Sequence, residues 1–262
     1  MIMHLDMPRI DLLIVPSLRA SAAKAAEVLT SLNYRALFLN LPSNLQYLIS
    51  EYALGNISLQ EMLYKIESMR LIPEPVGSWL YLNEPLIEAL KKLKKSVKVY
   101  CYRDVDYHHM LTEASVKIAS LALRVSVTNR VNVEEWIRIL KGCCRPEILE
   151  REAEFISFKT EDKSLCITSL SGFGIAKKLR KLGHRVKVRC VERLYCFKPI
   201  EILEAMLEKG KVSYEAAEGL IREHVEFIKD HVLTSKDPDE AYYSWLHEKR
   251  NIKLISRISI CP

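Results

Sequence analysis

The N-terminal part of the chain alternates short, continuous apolar runs with stretches whose apolar residues recur at helical spacing. "IDLLIV" (10–15) and "RALFLN" (35–40) read as strands, and "SAAKAAEVLTSLN" (21–33) between them reads as a helix. A helix over "PSNLQYLISEYALGN" follows, with Ser43 or Asn44 as its cap and Gly55-Asn56 as its stop. The next helix opens on a capping box, Ser58-x-x-Glu61. "LIPEPVGSWLYLNEP" (71–85) carries three prolines and a glycine and reads as a loop. "PLIEALKKLKK" is then a helix leading into the strand "VKVYCY" (97–102), and helices are predicted over 110–122, 133–140 and 146–157. A second alternating block runs strand 164–169, helix 173–182, strand 185–191. Helices over 199–209, 213–232 and 238–248 fill most of the rest, and "KLISRISI" (253–260) is a candidate edge strand.

Strands that are apolar throughout and separated by helices must be buried on both faces. That pattern implies an α/β fold, a mostly parallel sheet of about five strands sandwiched by helices. The expected division is an α/β domain over 1–198 and a helical extension packed on it over 199–262.

Composition narrows the class. Among 262 residues, ten prolines and eight glycines leave little room for long linkers. No apolar run approaches the ~20 residues of a membrane span. The start lacks the pattern of a signal peptide, so a cytoplasmic location is expected. The seven cysteines include no C-x-x-C pair. Cys101, Cys166 and Cys190 fall in strand-like runs as small hydrophobes; the adjacent Cys143-Cys144 could be a redox or metal feature, but reduced, structural thiols are the default expectation.

The net charge of +6 is unevenly spread. Six basic residues and no acid lie between Lys91 and Arg103; eight basic residues and one acid lie between Lys177 and Arg193. Lys91, Lys92, Lys94, Lys95, Lys177, Lys178, Arg180 and Lys181 could form a face for nucleic acid or an acidic protein. They could equally be the cations that flank helix ends and strand edges.

In a parallel sheet the chemistry lies at the carboxyl ends of the strands. After the first strand, "VPSLRAS" has no glycines for a phosphate loop. Ser17 and Arg19 could hold an anion, and Ser21 is the favoured helix cap. After the second strand come Asn40 and Asn44, which are neither acids nor bases. The third strand ends in "CYRDVDYHHM". If that stretch stays extended, Asp104, Asp106 and His108 point one way as a potential metal site; alternatively Asp106 caps the next helix. At the fourth, Gly172 and Gly174 with Ser169 and Ser171 could cradle an anion, but the pattern is no nucleophile elbow. His224 and His231 are expected on a solvated helix face, and Trp79, Trp136 and Trp245 are too scattered to form a stacking platform.

Three blocks together resemble the TraB/PrgY family and its wider ChaN-like and erythromycin-esterase-like relatives. They are "IVPSLRASAAKAAEVLTSLNYRALFLNLPSNLQYLI", "VKVYCYRDVDYHHML" and "EREAEFISFKTEDKSLCITSLSGFGIAKKLRKLGHRV". The resemblance spans roughly residues 10 to 190. It places Pro16 where the family has its first histidine, Asn40 where it has a glutamate and Ser171 where it has a late histidine. Arg103, Asp104 and Arg151 remain, and would be the catalytic residues were the site active. The resemblance thus implies a family scaffold that has lost the polar residues of a metal-dependent hydrolytic activity. The expected function is binding of a protein or nucleic-acid partner through segments 91–103 and 177–193, with no cofactor and homo-oligomerisation left open. The alternative is a hydrolase with zinc or manganese on Asp104, Asp106 and His108, which metal content would reveal.

Overall fold

A computed structural model describes residues 8–31 and 33–251. The elements are β1 (Arg9–Ile14), α1 (Arg19–Ser31), β2 (Ala36–Pro42), a 3-10 turn (Ser43–Leu45), α2 (Gln46–Leu54), α3 (Leu59–Ser68) and α4 (Val76–Leu90). They continue with β3 (Lys98–Arg103), α5 (Val105–Thr128), α6 (Val133–Cys143), α7 (Pro146–Lys159), β4 (Lys163–Thr168), α8 (Gly172–Lys181) and β5 (Arg185–Cys190). Helices α9 (Pro199–Glu208), α10 (Tyr214–Phe227), a π-helical turn (Ile228–Val232) and α11 (Pro238–Asn251) complete the described chain. The candidate strand 253–260 lies outside the described residues.

The described strands form one parallel sheet in the order β3-β2-β4-β1-β5. Both faces are covered, which is why the inner strands read as largely apolar runs. On one face Leu13, Leu37, Leu39, Cys101 and Ile167 pack with Leu29, Ile49, Met62, Ile66, Trp79 and Leu90 from α1 to α4. On the other Ile10, Leu12, Phe38, Tyr102 and Cys166 pack with Ala153, Ile156, Ile175 and Leu179 from α7 and α8. The fold is therefore α/β, with helices making up the C-terminal part.

The contacts divide the chain into two units. The sheet unit comprises residues up to 109 together with 146–193, and the helical unit comprises 110–145 and the residues from 194. Residues 110–145, assigned above to the sheet domain, thus go with the C-terminal helices. Inside the helical unit, Trp136, Leu140, Leu203, Ala217, Ile221 and Val225 form a core of their own. Cys143 and Cys144 donate to the Ile139 and Leu140 carbonyls, as small structural thiols do.

Several local expectations change. Residues 71–85 are not a loop: α4 begins at Val76 and contains Pro85. Pro75 stands at its N-terminus, where a missing N–H costs nothing. Pro85 in mid-helix cannot donate to the Tyr81 carbonyl four residues back. The Arg19 guanidinium supplies the missing donor, with Nη1 2.7 Å from that oxygen and Nη2 on the Glu84 carboxylate. Arg19 is thus committed to α4. Ser21 does not cap α1, which starts two residues earlier; buried inside the helix, it donates to Glu192 at 2.9 Å. Neither Ser43 nor Asn44 caps α2, and Asn44 donates to the Leu71 carbonyl instead. Ser58-Glu61 does form the capping box, and Gly55, at φ 81°, ends α2. His224 and His231 are not solvated; each is only 7 % exposed.

Candidate functional site

The sheet's connections locate a crevice. α1 and α2, which follow β1 and β2, cover one face, whereas α8, which follows β4, covers the other. β4 lies between β1 and β2, so its carboxyl end is flanked on both sides by chains that leave in the opposite sense. This is where parallel sheets open a ligand crevice. The strand ends there carry Val15 to Ser17, Asn40 and Ser169 to Ser171. They are tied together by Val15 N–H to the Thr168 carbonyl (2.8 Å), Gly172 N–H to the Ser169 carbonyl (2.9 Å) and a Ser169–Ser171 hydroxyl pair (3.0 Å). Gly172 lets α8 approach β4 closely: a Cβ there would stand 2.3 Å from Thr168 Cγ2. The Asn40 Oδ1 is buried without a hydrogen-bond partner among the described residues.

Pro16, Asn40 and Ser171 all fall at this carboxyl end. Between them they offer one amide and one hydroxyl, with no carboxylate or imidazole. Such a donor set does not hold a zinc or manganese ion. Glu192, the acid that follows β5, is held by Ser21 and by Lys24 at 2.7 Å.

The stretch 103–109 does not stay extended, because α5 begins at Val105. Asp104 is its cap, accepting the Tyr107 N–H at 2.9 Å, and it pairs with Arg151 at 3.2 Å. Asp106, offered above as the alternative cap, is exposed in the first turn. His108 Nε2 lies 3.0 Å from Glu74. Asp104 and His108 therefore face partners on different segments, and no three His, Cys, Asp or Glu side chains among the described residues converge as metal ligands. The alternation that would have gathered Asp104, Asp106 and His108 belongs to a strand, and here the backbone is helical.

Beside Asp104 lies a charge pair missed in the sequence. Arg103 Nη1 is 3.3 Å from Glu152, which is 2 % exposed and also accepts the Asp104 N–H at 3.2 Å. Burial pushes the Glu152 carboxyl above its ordinary pKa, outweighing the pull of Arg103 and the hydrogen bonds. Arg103 also lies over the Tyr107 ring, 5.3 Å from its centroid. These contacts knit β3, α5 and α7 together. Arg103, Asp104 and Arg151 are thus close in space, but each is occupied in holding the sheet's polar end.

The two basic segments lie at opposite edges of the sheet, since 91–103 leads into and includes β3 and 177–193 includes β5. They are not one surface. At the β3 edge the Gln46 side chain stands in for a neighbouring parallel strand. Its Nε2 donates to the Val99 carbonyl at 2.9 Å and its Oε1 accepts the Cys101 N–H at 2.7 Å. Lys91 lies over the Tyr52 ring, and Lys98 pairs with Glu161 at 2.7 Å. Lys92, Lys94 and Lys95 are exposed just past the end of α4, where cations suit the helix dipole.

The β5 edge is different. The Val191 N–H reaches the Ile14 carbonyl, so odd-numbered residues of β5 turn their backbone groups inward and Val186, Val188 and Cys190 turn theirs outward. Arg180 donates to the Val186 carbonyl at 3.2 Å and so brings the basic ridge of α8 to this edge. Lys178 pairs with Glu150 at 3.1 Å. Lys177, Lys181 and Lys187 are exposed and have no acidic partner among the described residues.

Compared with family models, curated proteins and solved structures, the chain matches none. The TraB/PrgY resemblance therefore rests on the residues that carry it. No helix among the described residues is long and apolar enough to cross a membrane.

Proposed function

We propose that the chain is a catalytically degenerate, TraB-like, cytoplasmic α/β protein that works by binding an anionic partner through the basic α8–β5 edge. The observation that carries the reading is a contrast between two sets of charges. At the carboxyl end of β3, Arg103, Asp104, Arg151, Glu152 and His108 are all engaged with one another or with Glu74. At the β5 edge, Lys177, Lys181 and Lys187 face solvent without acidic partners among the described residues. A charge committed to a pair is poorly placed for chemistry or capture, whereas uncommitted surface cations attract a counter-charge. The replacement of catalytic residue types by Pro16, Asn40 and Ser171 supports the same reading through the resemblance.

The test is retention on heparin-agarose, with circular dichroism as the check on folding. The Lys177→Ala, Lys178→Ala, Arg180→Ala, Lys181→Ala variant should elute at clearly lower salt than the unaltered chain while keeping its spectrum. Equal elution of a folded variant would remove the α8 edge as the binding surface.

A further inference from the structure

The character of β5 narrows the partner, given the basic-edge reading on which this inference rests. β5 is a terminal strand, and its sequence alternates cation and valine: Arg185, Val186, Lys187, Val188, Arg189. The arginines and lysine fall on the α1 side of the sheet, while Val186 and Val188 pack partly against the α7–α8 side. Val188 points its N–H and carbonyl away from β1, and neither has a partner among the described residues. The two edges of the sheet are thus treated differently. Gln46 fills the place of a neighbouring strand at β3, whereas at β5 the Val186 carbonyl accepts from Arg180 and the Val188 N–H and carbonyl have no such stand-in among the described residues.

We infer that the β5 edge accepts an extended acidic peptide as an added strand. Cross-strand neighbours on one face prefer opposite charge or shared apolar character. A peptide alternating acidic and apolar residues would set a carboxylate beside Lys187, since Arg189 is already paired with Asp11 at 3.5 Å, and its apolar side chains beside Val186 and Val188. Its backbone would satisfy the outward groups of Val188, giving affinity, while the alternation would give specificity. Lys177 and Lys181 on the α8 ridge extend the positive field along the same edge. The same charges disfavour a second copy of β5, which would bring cations against cations. A nucleic acid could engage the cations, but it would leave the Val188 N–H and carbonyl without a strand partner.

Fluorescence anisotropy with the full chain tests this. The probes are a labelled peptide alternating glutamate and valine, the same peptide N-methylated at every second amide, and a labelled single-stranded oligonucleotide. The parent peptide should bind, and N-methylation on the edge-facing register should weaken it about tenfold or more. Val188→Pro removes an outward N–H without touching the β1 ladder, and should cause a similar loss for the peptide while leaving heparin retention unchanged. The N-methyl comparison uses the unaltered chain, so it decides the matter even where the proline variant does not fold. Equal binding of the parent and N-methylated peptides overturns strand addition. Oligonucleotide binding without peptide binding overturns the peptide as partner and leaves the basic-edge reading standing. Binding of none of the probes overturns both.

Discussion

Glu152 and His224 occupy positions that the helical pattern reserves for apolar residues. Glu152 stands four residues from both Ile148 and Ile156 on the buried side of α7, and His224 follows Ala217 and Ile221 on α10. Following each apolar stripe would have placed both inside. The charged residues Glu223 and Asp230 near the histidines suggest a solvated helix face, but the apolar stripe of α10 overrides them. His224 packs edge-on against Trp136, with ring centroids 6.1 Å apart, and its Nδ1 has no hydrogen-bond partner among the described residues. Burial, helped by the Lys198 charge, lowers its pKa from 6.5 to about 4. Between those values the unfolded chain takes up a proton that the folded chain refuses. His224 therefore leaves stability intact above pH 6.5 and withdraws up to about 3 kcal/mol as the pH falls to about 4. Urea melts across this range should show that loss, and His224→Phe should flatten it by keeping a ring against Trp136 without a titrating nitrogen. An unchanged pH profile in a folded variant would show that the loss arises elsewhere.

At the scale of elements, the inner strands β1, β2 and β4 were legible because both faces of the sheet are buried there and their sequences are largely apolar, and β5 was legible from its alternation of cation and valine. Helix α4 was not, because its prolines signal a break that a distant side chain repairs. Nothing in the local sequence around Pro85 announces that Arg19, on α1, will donate to the Tyr81 carbonyl. The repair can be measured by a double-mutant cycle. Arg19→Ala removes that donor and should cost about 1–2 kcal/mol. In a Pro85→Ala background the helix regains its own N–H donor, and the cost of Arg19→Ala should drop by roughly 1 kcal/mol. Strictly additive effects in urea melts would mean that Arg19 acts only through Glu84. The strand end at β3 failed for a related reason. Alternation brings Asp104, Asp106 and His108 to one side only of an extended backbone, and Asp104 instead caps a helix that begins at the next residue.

At the scale of the molecule, the sheet order decides what the sequence charge runs mean. Segments 91–103 and 177–193 look equivalent as composition, but β3 and β5 are separated by four strand spacings, about 19 Å. That exceeds the Debye length of about 8 Å at physiological salt, so the two clusters act on a ligand independently. Comparing two variants exploits this. Replacing Lys91, Lys92, Lys94 and Lys95 by alanine removes four charges from the net +6, as does replacing Lys177, Lys178, Arg180 and Lys181. A partner that senses only net charge must respond equally to both. A partner seated on the β5 edge must respond to the second set alone, since the first set flanks an edge that Gln46 already closes. We expect binding of the alternating acidic peptide to survive the 91–95 replacement within about twofold, and to weaken at least about tenfold in the 177–181 replacement. Combining all eight substitutions should add nothing beyond the second set. Equal losses in the two quadruple variants would reduce the basic edge to a contribution to solubility and long-range attraction.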